Sequence, residues 1–170
     1  MNDRIRQWHK FRLFATRFQN SLIILMCVFS LQGCSGLSSL VSGDIDTKRI
    51  NISAVPGANN DTPVAMDIVA VADDNLVQMF VGMDVKGWFS QKENFVANRP
   101  NSINIRTFEV VPGQSIGDQE YSWSDRRKYK AVFIFAKMLS PGLHKMRIDS
   151  YENPAIIIGK NSINVTEIEK

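Results

Sequence analysis

The chain is poor in the side chains that most often carry chemistry. It has two cysteines, Cys27 and Cys34, and two histidines, His9 and His144, in 170 residues. Cys27, Cys34 and His9 all lie in the first 34 residues, which leaves the rest of the chain with His144 and no thiol. A disulfide framework is therefore excluded for that part, and neither an imidazole nor a thiolate metal site is expected in it. There is no Gly-x-Ser-x-Gly elbow, phosphate loop or dinucleotide fingerprint. Asp44 with Asp46 and the pair Asp73-Asp74 lack the dense oxygen spacing of a calcium loop. Long hydrophobic runs are missing too. The best, Leu22 to Phe29, is far short of the roughly 20 apolar residues that span a bilayer.

That short run has a definite context. Arg4, Arg6, Lys10, Arg12 and Arg17 precede it, with Asp3 as the one acid. Small residues follow. This layout reads as a secretory signal. It ends in Leu31-Gln32-Gly33-Cys34, which resembles the bacterial lipobox, where the chain is cut before a cysteine that carries lipid. Residues 1–33 are thus expected to be a lipoprotein signal peptide, with Cys34 the lipidation site. Ser35 follows it, and the absence of Asp there implies sorting to the outer membrane, on its periplasmic face. No cofactor is expected beyond the covalent lipid on Cys34.

Removing the leader changes the charge. Five of the 20 basic residues and one of the 17 acids go with it, so the remainder holds 15 and 16 and is close to neutral. The basic character belongs to the leader and gives no argument for nucleic acid. Residues 34–47 are small and polar and read as a flexible tether. Residues 48–170 are long enough for one packed domain.

Within that domain period-two patterns dominate. Ile50, Ile52 and Ala54 alternate with Arg49, Asn51 and Ser53 in a first strand. Val64–Val71 is a second. Ile103 and Ile105 start a third, and the phase slips at Phe108 and Val110, which suggests a bulge. "YKAVFIFAKML" is apolar on both faces and reads as a central strand; "LHKMRID" pairs back on it, and "AIIIG" and "SINVTEIE" close the chain. Pro-Gly corners stand at Val55-Pro56-Gly57, Val111-Pro112-Gly113 and Ser140-Pro141-Gly142. One segment departs from this pattern. Leu76, Val77, Phe80 and Val81 form a helical stripe that Asp73 or Asp74 can cap, and Trp88, Phe89 and Phe95 suit a second short helix. The expected fold is mainly β: a two-sheet β-sandwich of seven or eight strands with a short helical insertion after the second strand.

Candidate sites are few. His144 follows the last Pro-Gly corner and reads as a surface or edge residue. The basic stretch Asp125–Lys130 lies beside "YSW", so Tyr121, Trp123, Arg126 and Arg127 form a candidate secondary contact patch of the residue types favoured in protein interfaces.

Three stretches, "INISAVPGANNDTPVAMDIVAV", "FEVVPGQ" and "YKAVFIFAKMLSPGLHKMRI", together with the lipobox and tether, resemble the outer-membrane lipoprotein of the type VI secretion system, the TssJ family. "AVAD" departs from the family's usual end to the second strand, and Tyr151–Lys170 has no counterpart. The resemblance implies a transthyretin-like sandwich without enzymatic activity. It implies a lipid-anchored protein that ties the trans-envelope complex to the outer membrane. Its partner is then the periplasmic domain of an inner-membrane component, with no nucleic acid and no small-molecule substrate. It also implies that the loop joining the first two strands makes the contact: Val55, Pro56, Gly57, Ala58, Asn59, Asn60, Asp61, Thr62 and Pro63. Two other readings compete. One is a periplasmic lipoprotein that binds a glycan or inhibits an envelope enzyme. The other is a hydrolase built on His144.

Overall fold

Residues 45–120 and 128–169 are described by the computed structural model, without the side chains of 118–120. Their elements run β1 (Arg49–Ala54), β2 (Val64–Val71), α1 (Asp74–Gly82), α2 (Val85–Asn98), β3 (Ile103–Val110), β4 (Ser115–Glu120), β5 (Ala131–Lys137), β6 (Lys145–Arg147), β7 (Pro154–Ile158) and β8 (Ile163–Glu167). Two four-stranded sheets form, in the orders β4-β1-β7-β8 and β3-β2-β5-β6. Neighbours are antiparallel except β1 and β7, which run parallel. The fold is thus the expected mainly-β sandwich with its helices inserted after the second strand. The last two strands complete the first sheet, so the tail belongs to the core. Among the described residues no helix is long and apolar enough to cross a membrane.

The two sheets differ in how they are covered. In the first, Ile50, Ile52, Ile156 and Ile158 face the second sheet while their neighbours Asn51, Ser53, Ala155 and Ile157 are half-buried on the outside. This is the alternation of a sheet wet on one face. The second sheet is covered twice. Val64, Met66, Ile68 and Ala70 of β2 and Val132, Ile134 and Ala136 of β5 meet the first sheet. Val69, Val71, Ala131, Phe133 and Phe135 meet the helices. This is why β5 is apolar at every inner position.

The same double cover explains the phase change in β3. Ile103 and Ile105 pack under the helices, and Phe108 joins Val110 against the first sheet. The β2–β3 register is unbroken from Val64↔Val110 to Val71↔Ile103. The expected bulge is therefore absent from β3: the strand alternates regularly and changes which face is apolar. The irregularity lies between β1 and β4, where the register shifts between Ile50 and Ile52. β4 itself was not apparent in the sequence, because "SIGDQE" has one apolar residue and forms an edge. The folded part also starts before residue 48. Ile45 and Thr47, expected in the tether, are buried, and Thr47 Oγ1 donates to the Ile148 carbonyl at 2.8 Å.

The helices are held by polar contacts as well as by packing. Asp73 caps α1, accepting from the amides of Asn75 and Leu76 at 2.8 and 3.2 Å. Asp84 caps α2, accepting from Gly87 N–H at 2.6 Å. Leu76, Val77 and Phe80 are buried as the stripe required, but Val81 faces solvent. At that last turn Lys145 Nζ of β6 reaches across and donates to the carbonyls of Phe80, Val81 and Met83 at 2.7–3.0 Å. This places a cation on the carbonyl-rich helix end. Burial lowers the Lys145 pKa, against the pull of nearby Asp84. Phe80 is the aromatic centre, edge-on to Trp88 and Phe95 at 5.3 and 5.2 Å, and Trp88 stacks on Phe135 at 4.8 Å. α2 is a 14-residue helix, longer than the short one expected.

Asp67 of β2 lies fully buried between this layer and the sheet. Its Oδ2 accepts from Trp88 Nε1 at 2.8 Å and from Lys92 Nζ at 3.2 Å, and its Oδ1 accepts from Thr107 Oγ1 at 2.6 Å. One carboxylate thus ties β2 to β3 and to α2. Removing it leaves the Trp88 and Thr107 donors without their acceptor, which costs more than losing an exposed pair. Asp67→Ala is expected to lose about 2–4 kcal/mol in denaturant unfolding, and Thr107→Val about 1 kcal/mol. Equal losses would show that the Trp88 and Lys92 bonds contribute nothing.

Candidate partner-binding surface

The loop between β1 and β2 is short and sterically demanding. Gly57 takes φ 78°, a left-handed value that glycine adopts freely. After Ala58, three consecutive non-glycine residues are also left-handed: Asn59 (φ 47°), Asn60 (φ 55°) and Asp61 (φ 59°). They make one left-handed helical turn, closed by Thr62 N–H donating to the Asn59 carbonyl at 3.2 Å. This conformation costs most side chains about 1–2 kcal/mol each, and Asn and Asp tolerate it best. The tripeptide Asn-Asn-Asp fits that requirement. The sequence alone read it only as a polar turn.

Asn59 holds the turn in place. Its side chain is 1% exposed. Nδ2 donates to the Thr62 carbonyl at 3.1 Å, Oδ1 accepts from Leu139 N–H at 2.7 Å, and the Asn59 backbone N–H donates to the Gly159 carbonyl at 3.2 Å. These bonds join the β1–β2, β5–β6 and β7–β8 loops. Ser140 Oγ adds a bond to the Asn161 carbonyl at 3.2 Å. The β3–β4 corner is attached from the other side, because Gly113 N–H donates to the carbonyls of Ala54 and Val55 at 2.9 and 3.3 Å. The two Val-Pro-Gly corners therefore lie side by side. Four loops form one end of the sandwich.

Four hydrophobic side chains are exposed at this end, among polar ones. Val55 is 41% exposed, Val111 48%, Leu139 63% and Leu143 89%. Of the nine residues expected at the contact, Val55, Pro56, Asn60, Asp61 and Pro63 face outward, Gly57 and Thr62 are half-buried, and Ala58 and Asn59 point inward. The sequence reading did not include Val111, Leu139 or Leu143. The available signal was two leucines flanking a Ser-Pro-Gly corner, where a hairpin loop would ordinarily be polar.

The chain enters at the opposite end. Asp46 N–H donates to the Asp149 carbonyl at 2.9 Å and Lys48 N–H to the Glu152 carbonyl at 2.8 Å, before β1 begins at Arg49. Arg49 pairs with Glu120 and Ser53 with Ser115, so β1 separates this entrance from the loop end by its own length, about 20 Å.

His144 is not a surface residue, contrary to expectation. It is 5% exposed, because Gly142 folds the hairpin back over the ring, close enough that a Cβ there would sit 3.3 Å from Cε1. Nε2 lies 2.8 Å from the Ser140 carbonyl, which can only accept, so Nε2 carries the hydrogen. It is then no base for Ser140 Oγ at 3.4 Å, and Nδ1 has no carboxylate to orient it. A nucleophile–base–acid relay needs the reverse arrangement. Beside the ring a cavity of about 500 Å³ opens between the hairpin and the start of α2, lined by Asp84, Phe89, Lys137 and Met138 among others. Among the described residues no group of three His, Cys, Asp or Glu is placed to hold a metal. Cys34, Ser35, Tyr121, Trp123, Arg126 and Arg127 lie outside the described residues.

No family model matches the chain, and no curated protein does. Solved structures do. Lip of Serratia marcescens, a membrane-bound component of the type VI secretion system, aligns with a TM-score of 0.51 at 12% identity, over 73% of this chain and 99% of that one. The type VI lipoprotein TssJ1 of Pseudomonas aeruginosa aligns at 0.50 and 12%, over 73% and 98%. A structure of the C-terminal domain of the type VI protein TssM from EAEC aligns at 0.53 and 18%, over 71% and 100%. The class is thus a β-sandwich with a helical layer. Its fold is that of the TssJ lipoproteins, as the sequence resemblance implied.

Asn59→Ala is expected to destabilise the domain by about 2–4 kcal/mol, since it removes the bonds and leaves alanine in a left-handed conformation. Asn59→Gly loses the same bonds without that strain and is expected to cost less. Urea unfolding of the two variants tests the order; equal losses would show that the backbone conformation carries no cost.

Proposed function

We propose that this protein is an outer-membrane lipoprotein of a type VI secretion system. It anchors the trans-envelope complex by binding the periplasmic part of the inner-membrane component. The observation that carries this reading is the polarity of the domain. Its fold is that of the TssJ lipoproteins, its N-terminal segment enters at one end, and its strained loop surface stands at the other. The lipobox-like Leu31–Cys34 supports a lipid on Cys34 and a place on the periplasmic face of the outer membrane. Three acyl chains bury enough methylene groups for stable attachment, where a single chain holds weakly, at about 0.8 kcal/mol per CH₂. Anchoring concentrates the loop surface for partners in the same envelope. The role is one of binding, without catalysis, and the Nε2–H of His144 supports that.

Two measurements test it. Cys34→Ser is expected to leave the domain folded and to move it out of the outer-membrane fraction; retention there would remove the anchor from the account. Cross-linking of the tagged, acylated protein in its own cells is expected to recover the large inner-membrane component, and Asp61→Arg to reduce that recovery. Recovery of peptidoglycan fragments or an unrelated envelope enzyme instead would assign the protein to the competing class.

A further inference from the structure

One cavity has no part in the proposed role. It lies between the β5–β6 hairpin and the first turn of α2, and its volume of about 500 Å³ falls within the range of small-ligand pockets, roughly 300–1,000 Å³. Its walls carry Phe89 and Met138, both half-buried, and three charged groups, Lys86, Lys137 and Asp84. His144 lines it too. We infer that this cavity binds a small organic acid: a carboxylate on an apolar body, with one N–H or O–H donor. The inference adds a ligand to the protein and does not depend on the secretion-complex reading.

Each part of that ligand answers a group in the wall. His144 Nε2 donates to the Ser140 carbonyl, so Nδ1 is an acceptor, and it is buried without a partner among the described residues. Buried polar atoms are nearly always hydrogen-bonded, so an acceptor left over beside a cavity points to a donor from outside the chain. Lys86 and Lys137 are exposed, and among the described residues neither has an ion-pair or hydrogen-bond partner. Asp84 is the one acid of the wall, and it is already engaged: its Oδ1 accepts from Gly87 N–H at 2.6 Å on the positive end of α2. Two cations against one anion leave the wall with one positive charge in excess, which matches a carboxylate better than a doubly charged phosphate. Phe89 is held in place, because Lys92 Nζ stands 5.4 Å from its ring centroid and is itself bonded to Asp67. Its ring and the Met138 thioether supply the apolar surface of a pocket that is formed before the ligand enters.

The test titrates the full-length protein in detergent, with isotope-labelled histidine nitrogens, against N-acetyl-L-leucine and N-acetyl-L-leucinamide. The chain has two histidines, so the ring signals in the magnetic resonance spectrum are few. The acid is expected to bind saturably, with a Kd on the order of 1 mM for a ligand of this size, and to shift the Nδ1 resonance of His144. The amide keeps the apolar body and the N–H but has no charge, and it is expected to bind on the order of fivefold more weakly. Lys86→Met and Lys137→Met together, at exposed positions, are expected to weaken the acid by the same factor while leaving the amide and the melting temperature unchanged. Binding of the acid with Nδ1 unmoved places it elsewhere and overturns the inference. Equal binding of acid and amide removes the carboxylate from the ligand and overturns it too. No saturable binding of the acid up to about ten times the expected Kd leaves Nδ1 to water and the cavity without this ligand.

Discussion

A sheet that is apolar on both faces needs two covers, and this domain has to supply both from one short chain. The sheet β3-β2-β5-β6 receives the partner sheet on one side and α1 and α2 on the other. The helical layer completes the core and is more than an appendage to the sandwich. The carboxylate of Asp67 ties that layer down. A buried charge is tolerated only when it is paired and fully bonded, and Trp88, Lys92 and Thr107 meet that condition from α2 and β3. Without the helices, Phe133, Phe135 and Val69 would face water and Asp67 would lose two of its three partners.

The loops add to this core through Ala58 and Ile148. At one end of the sandwich the loops are hydrogen-bonded to one another. Asn59 replaces the hydrogen bonds that a strand would otherwise supply, and it holds three loops while sitting in a conformation most residues avoid. The buried side chain thus holds a strained turn against the hairpin that carries the exposed Leu139 and Leu143. The opposite end takes in the chain from its N-terminal side through bonds to Asp149 and Glu152.

His144 shows how a local reading can mislead. A lone histidine after a Pro-Gly corner reads as exposed, because turns ordinarily are. The fold-back at Gly142, with φ 146°, is what covers it, and beside it Ser140 Oγ donates to the Asn161 carbonyl of the β7–β8 turn. The hydrogen bond of Nε2 to the Ser140 carbonyl then decides its role.

The sequence by itself determined the elements whose signal is local. Period two in β1, the doubly apolar β5, the capping Asp73 and the stripe ending at Gly82 are written in neighbouring residues, because burial on one face selects them directly. Tertiary structure alone decided what depends on residues far apart. β4 is too polar to be seen without its partner β1, and the phase change of β3 means a bulge until the helices are in place above Ile103 and Ile105. The loop end is the strongest case. "GANND" names residues that can be left-handed, but only the amide of Leu139, 80 residues later, and the carbonyl of Gly159 make Asn59 a hub. Hydrogen bonds across that separation leave no pattern along the chain, so the joining of these loops became visible only in the folded protein.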